Sequence, residues 1–187
     1  MSSLLDFRFH AERTPNPQSL KWVVSKDLTP PGVTANFQAP VGADVSPLAA
    51  RLFAIADVTG VFVAPGFVTV TKREGREWTE LAQPIVDALK AFAASDESAL
   101  GPAFSPADRS EESGVVARIK EILENEVRPA VARDGGDVVF AGFHDGVVEV
   151  VLQGSCVGCP SSTATLRFGI EGRLREEIPE VIKVIQV

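Results

Sequence analysis

The sequence predicts an α+β protein of two small domains. Strand-like runs arrive in pairs joined by short turn signals, helical apolar spacing appears in separate blocks on either side of them, and residues 95–112 break every periodicity. The expected division is a domain at 1–94, a mobile acidic linker at 95–112, and a domain at 113–187 built as helix, hairpin, helix, strand.

With 187 residues, 45% of them hydrophobic and 23% charged, the chain has the composition of a globular protein. Its longest apolar stretches, such as Val61–Ala64 and Val147–Leu152, fall far short of the roughly 20 residues that span a bilayer, so a soluble protein with no membrane partner is expected. The net charge of −7 is concentrated in the linker and the C-terminal part. No segment offers the basic density that displaces counterions from phosphates, which argues against nucleic acid as a partner.

Met1–Arg13 mixes Asp6 and Glu12 with Arg8 and Arg13 and has the pattern of neither a signal nor a transit peptide. Two cysteines are too few for a disulfide scaffold and indicate a reducing interior. The expected compartment is the cytoplasm.

In the first domain, Thr14-Pro15-Asn16-Pro17 is a turn cluster, because each proline forces an extended neighbour and Asn tolerates turn geometry. Strands are expected at Ser19–Val24 and Thr34–Gln38. Ser46 before Pro47 fits an N-cap and first helical position, followed by Leu48, Leu52 and Ile55 on one face. Val58–Val63 and Phe67–Lys72 flank Ala64-Pro65-Gly66 as an antiparallel hairpin. Leu81, Ile85, Leu89 and Phe92 define a helix over about 77–94, bent at Pro84.

The second domain opens with Ser113 as N-cap and Val115, Ile119, Ile122, Leu123 and Val127 on one face, with a kink at Pro129. Asp134-Gly135-Gly136-Asp137 ends that helix through glycine's access to the left-handed conformation. Val138–Phe143 and Val147–Leu152 form a hairpin through Asp145-Gly146. Leu166, Ile170, Leu174 and Ile178 recur every fourth residue, predicting a helix over about 160–177, with the run Arg173–Glu177 on a solvated face. The last strand, Val181–Val187, returns to the sheet through this helix, so it is expected to pair in parallel.

The chemistry concentrates in Gly154-Ser155-Cys156-Val157-Gly158-Cys159-Pro160-Ser161-Ser162. Cys156 and Cys159 stand between a strand and a helix start, where unpaired N–H groups favour thiolates, and the glycines would let backbone approach the sulfurs. Three uses compete. A thioredoxin-like dithiol/disulfide oxidoreductase places Cys-x-x-Cys in this setting, but the residues after Cys159 suffice for only one more helix and one strand. Half of a zinc site needs further ligands, His10 or His144 or another chain. Half of an iron-sulfur site needs a second chain, because common clusters require four protein ligands. The two histidines, in an irregular segment and beside a turn, read as solvated surface residues, and Trp22 and Trp78 as packing. Asp134 and Asp137 read as turn and cap residues, and Ser161, Ser162 and Thr163 as residues a helix start attracts.

Three separated motifs of the C-terminal part agree in order: Arg128-Pro129-Ala130 with Asp134-Gly135-Gly136-Asp137, then Gly154 to Thr163, then Arg175-Glu176-Glu177-Ile178-Pro179-Glu180. They closely resemble the C-terminal domain of the NifU-like family. Thr14-Pro15-Asn16-Pro17, Ser46-Pro47-Leu48-Ala49 and Val58-Thr59-Gly60-Val61 resemble the N-terminal domain of Nfu-type members. The resemblance implies an iron-sulfur cluster scaffold or carrier, not an enzyme. Such a protein assembles a [4Fe-4S] cluster between two chains, with a [2Fe-2S] cluster as the smaller alternative, and passes it to apo-proteins. It implies Cys156 and Cys159 as the ligands. Hand-over by exchange with a client's cysteines, the mechanism expected here, asks for two thiolates per chain at a shared, exposed edge. The partners implied are a second copy of the chain when the cluster is bound, apo iron-sulfur client proteins, and upstream cluster-assembly proteins.

Overall fold

The computed structural model describes residues 7–105, 114–158 and 160–187, leaving out the side chains of residues 160–163, 165 and 166. The chain is α+β and divides into two compact units, Met1–Ala107 and Asp108–Val187.

The first unit is a five-stranded antiparallel sheet in the order β1-β2-β5-β4-β3, made of β1 (Phe9–Arg13), β2 (Ser19–Val24), β3 (Ala35–Phe37), β4 (Val58–Ala64) and β5 (Phe67–Lys72). The expected strands stand where the alternation placed them. β1 is additional, because its charged sequence carries no apolar period. It is defined by pairing with β2, where Glu12 lies opposite Lys21 and forms an ion pair of 3.2 Å.

The turn Thr14–Pro17 joins these two strands. Asn16 Oδ1 accepts from the Gln18 N–H at 3.0 Å, and Thr14 Oγ1 donates to the Ser19 carbonyl at 3.0 Å. Helices α1 (Pro47–Phe53) and α2 (Trp78–Ala94) bury Leu48, Leu52, Leu81, Ile85, Leu89 and Phe92 in one apolar cluster with Trp22, Val61, Val63, Val68 and Val70 of the sheet.

Residues 95–105, assigned by composition to the linker, lie against this unit. Ala99 is buried, its carbonyl accepts from Ser46 Oγ at 2.6 Å, and the Gly101 N–H donates to the Val45 carbonyl at 2.8 Å. Ser46 meanwhile accepts from the Ala49 N–H at 3.1 Å, so it caps α1 and ties down the segment after α2. Residues 106–113, the remainder of the expected linker together with the expected cap Ser113, lie outside the described residues.

In the second unit the first helix is composite: α3 (Val115–Ile122), a π-helical turn at Leu123–Val127, and α4 (Arg128–Arg133). Next to Pro129, where a kink is expected, the helix carries a π turn, with the Arg128 N–H bonded to the Leu123 carbonyl. Proline lacks the N–H and crowds the carbonyl four residues back, and one widened turn relieves both constraints. Gly135, at φ 78°, reverses the chain into β6 (Gly136–His144).

Strand β6 pairs with β7 (Val147–Gly154) in an antiparallel hairpin whose Asp145-Gly146 turn has φ of 50° and 80°. Helix α5 (Pro160–Glu177) then carries the chain back to β8 (Lys183–Gln186), which pairs in parallel with β7. Ile119, Ile122, Val131, Val138, Val148, Val150, Leu152, Ile170, Leu174 and Val184 form the core of this unit.

The acidic and basic run on α5 does more than face water. Arg173 holds Glu126 at 2.5 Å and Glu177 at 3.0 Å, and Glu177 also accepts from Arg118 at 2.9 Å, which clamps α5 to α3 and the π turn. No helix among the described residues is long and apolar enough to cross a membrane.

Candidate metal centre

The cysteine stretch is the connection between β7 and α5. Its backbone turns sharply: Gly154 and Gly158 have φ of 64° and 72°, and the Val157 N–H donates to the Gly154 carbonyl at 3.2 Å. Only glycine adopts such angles readily, so these two residues bracket a tight turn carrying Ser155 and Cys156.

The turn rests on the Asp134–Asp137 segment between α4 and β6. The Ser155 N–H donates to the Gly135 carbonyl at 3.2 Å, and Ser155 Oγ donates to the Asp134 carbonyl. Gly136 lies opposite Gly154 in the hairpin register. A Cβ at position 136 would fall 2.6 Å from Cys156 Sγ and 2.8 Å from the Gln153 carbonyl oxygen. The two glycines of the segment therefore serve different ends. Gly135 takes the left-handed backbone, and Gly136 leaves the space that the thiol fills.

Asp137, expected as a cap residue, is also the anchor of a buried ion pair. Only 3% of it is exposed, and it accepts from Arg128 Nε at 2.7 Å and Nη2 at 2.6 Å, while its Oδ1 takes the Val138 N–H at 2.8 Å. Arg128 Nη1 also reaches Glu124 at 2.7 Å. The Asp137 hydrogen bonds, ahead of the opposing effect of burial, push the guanidinium further toward its charged form. The sequence signal for this pair was the Arg-Pro and Asp-Gly-Gly-Asp motifs, which show neither partner by any period.

Cys156 is 5% exposed and belongs to the apolar cluster of its unit. This corrects the expectation of a thiol at an exposed edge: the space left by Gly136 lies on the interior side of the turn, and the side chain fills it. Cys159, the second expected ligand, lies outside the described residues, as do the side chains of Ser161, Ser162 and Thr163. His10 and His144 are exposed and lie in different units. Among the described residues no three His, Cys, Asp or Glu side chains converge as a metal site.

Two family descriptions cover most of the chain: residues 9–96 match the one described as scaffold protein Nfu/NifU N terminal, and residues 119–185 match the NifU-like domain. A human protein named NFU1 iron-sulfur cluster scaffold homolog, mitochondrial, is 45% identical over 181 residues, covering 93% of this chain and 69% of its own length. The protein of the same name from Drosophila sechellia is 41% identical over 177 residues, again 93% of this chain. The chain spans 62% of that relative's length. A solution structure of a NifU-like protein from Saccharomyces cerevisiae is 21% identical, covers 55% of this chain and 90% of its own, and superposes with a TM-score of 0.45.

These relatives are named mitochondrial, which overturns the cytoplasmic expectation. The cysteine count asks for a reducing compartment, and it does not distinguish the cytoplasm from the interior of an organelle.

Proposed function

The chain belongs to the NifU-like family of Nfu-type scaffold proteins, and on that premise we propose that it holds an iron-sulfur cluster as cargo and passes it to other proteins. The observation that carries this reading is a shortage of ligands. The chain has two cysteines, Cys156 and Cys159, three positions apart at one strand-helix connection, whereas a common cluster takes four thiolates.

Two chains related by a two-fold axis supply the remaining pair. The cargo is then a [4Fe-4S] cluster bridging a homodimer. Incoming cysteines of an apo-protein replace the scaffold thiolates one at a time, and upstream assembly proteins load the site by the reverse exchange. Carriage of this kind needs no catalytic residue, and the chain acts as a carrier rather than an enzyme.

Anaerobic reconstitution of the full chain with iron and sulfide, followed by absorption, Mössbauer spectroscopy and native mass measurement, tests the reading. The expected product is a dimer with about one [4Fe-4S] cluster per two chains, lost in Cys156→Ala and in Cys159→Ala. A monomer retaining a whole cluster would refute the shared site, and a [2Fe-2S] spectrum would correct the cluster type. Absence of iron uptake together with strong reduction of insulin disulfides would replace the carrier by a dithiol oxidoreductase.

A further inference from the structure

We propose that Gly136 and Ser155 are positioning residues that seat the Cys156 thiol in the interior of the domain, and that the turn must lift from this seat before the thiol can serve as a ligand. What the released thiol does rests on the carrier reading above; the seat itself does not.

The argument starts from accessibility. A sulfur shared with a metal centre and a second chain has to reach the surface, yet Cys156 is 5% exposed and packed within the apolar cluster. The space it fills exists because position 136 has no side chain: a Cβ there would overlap Sγ at 2.6 Å. Carbon and sulfur do not approach so closely, so the seated thiol and any larger residue at 136 exclude one another.

Ser155 fastens the turn to the seat, and glycines flank it as pivots. Ser155, 2% exposed, is attached through its N–H to the Gly135 carbonyl and through its Oγ to the Asp134 carbonyl. On either side stand Gly154 and Gly158, both at positive φ. Glycine crosses between backbone regions at low cost, so these two positions can absorb a rotation of the intervening residues that disturbs the β6–β7 ladder only at its terminal Gly136–Gly154 pair. Opening of this kind breaks the contacts of the turn and exposes Ser155 and Cys156 while the rest of the core stays packed, which makes it a local event rather than global unfolding.

The test measures access to the thiol and needs no cluster. In full-length, reduced protein carrying Cys159→Ser, only Cys156 can react with iodoacetamide, and the reaction is followed by mass spectrometry across low urea concentrations. The expected result is a slow reaction whose rate is independent of urea well below the unfolding transition, as local opening requires. Ser155→Ala in the same background should raise the rate about fivefold, the effect of one lost hydrogen bond, and keep it independent of urea.

Gly136→Ala should raise the rate at least about tenfold, since the thiol can no longer seat. If that variant fails to fold, Ser155→Ala alone decides. A wild-type rate that rises with urea in step with the loss of global stability, or a Ser155→Ala rate equal to wild type, would overturn the seat. Failure of the carrier reading would show separately, as absence of iron uptake by the wild-type chain during reconstitution.

Discussion

Arg128 and Asp137 are joined by two parallel hydrogen bonds of 2.7 and 2.6 Å across the junction of α4 and β6, next to the segment on which the cysteine turn rests. The pair connects the composite helix to the strand that flanks Cys156. Its two-point geometry is the strong form of a carboxylate-guanidinium contact.

Breaking this pair from one side leaves a carboxylate that is 3% exposed without its guanidinium partner. Arg128→Gln should therefore destabilise the second domain by about 3 kcal/mol. Both tryptophans, Trp22 and Trp78, lie in the first unit, and the chain has no tyrosine. Urea titration should accordingly show an early transition by far-UV circular dichroism and an unchanged one by tryptophan fluorescence.

Ser46 joins two parts of the first domain, capping α1 and donating to the Ala99 carbonyl, with none of its surface exposed. Ser46→Ala removes both contacts at once and should cost about 2 kcal/mol. Tryptophan fluorescence in urea is the measurement, with the midpoint moving to lower denaturant.

The clamp between α5 and the composite helix should make the second domain sensitive to acid. Hydrogen bonds from Arg173 hold the Glu126 carboxyl below the ordinary value of 4.5, and those from Arg118 and Arg173 do the same for Glu177. Groups whose folded pKa is lowered contribute stability that is present above the unfolded value and lost as pH falls through the folded one. Thermal unfolding followed by circular dichroism should thus show a falling midpoint below about pH 4.5, and Arg173→Ala should flatten that fall. Both carboxylates are solvent-exposed, so salt should weaken the effect.

A truncated chain beginning at Asp108 retains the whole of the second unit, including the cysteine turn and the segment beneath it. It should take up a cluster as the full chain does and deliver it less efficiently to apo-proteins. Failure of uptake on anaerobic reconstitution would show that the first unit contributes to the site. Cutting after residue 94 is the poorer choice, because residues 95–105 pack on the unit being removed.

Much of the architecture was legible locally. The Asp145-Gly146 hairpin, the fourfold spacing of Ile170, Leu174 and Ile178, and the return of β8 beside β7 each follow from a period or turn residue within a few positions. What stayed hidden depends on partners remote in sequence. β1 is a strand because Ser19–Val24 lies beside it, residues 95–105 are ordered because Ser46 and Val45 bind them, and the π turn answers a proline two residues beyond it.

The candidate site divides in the same way. The sequence by itself determined that Cys156 and Cys159 are its only thiols, that they stand three apart between a strand and a helix, and that it holds two thiols and not four. These are matters of count and local order. Only the tertiary structure decided that Cys156 is sheltered, that Gly136 makes room for it, and that Asp137 is held by Arg128. Packing is a relation between segments that folding alone brings together, and no period along the chain records which empty space a side chain will fill.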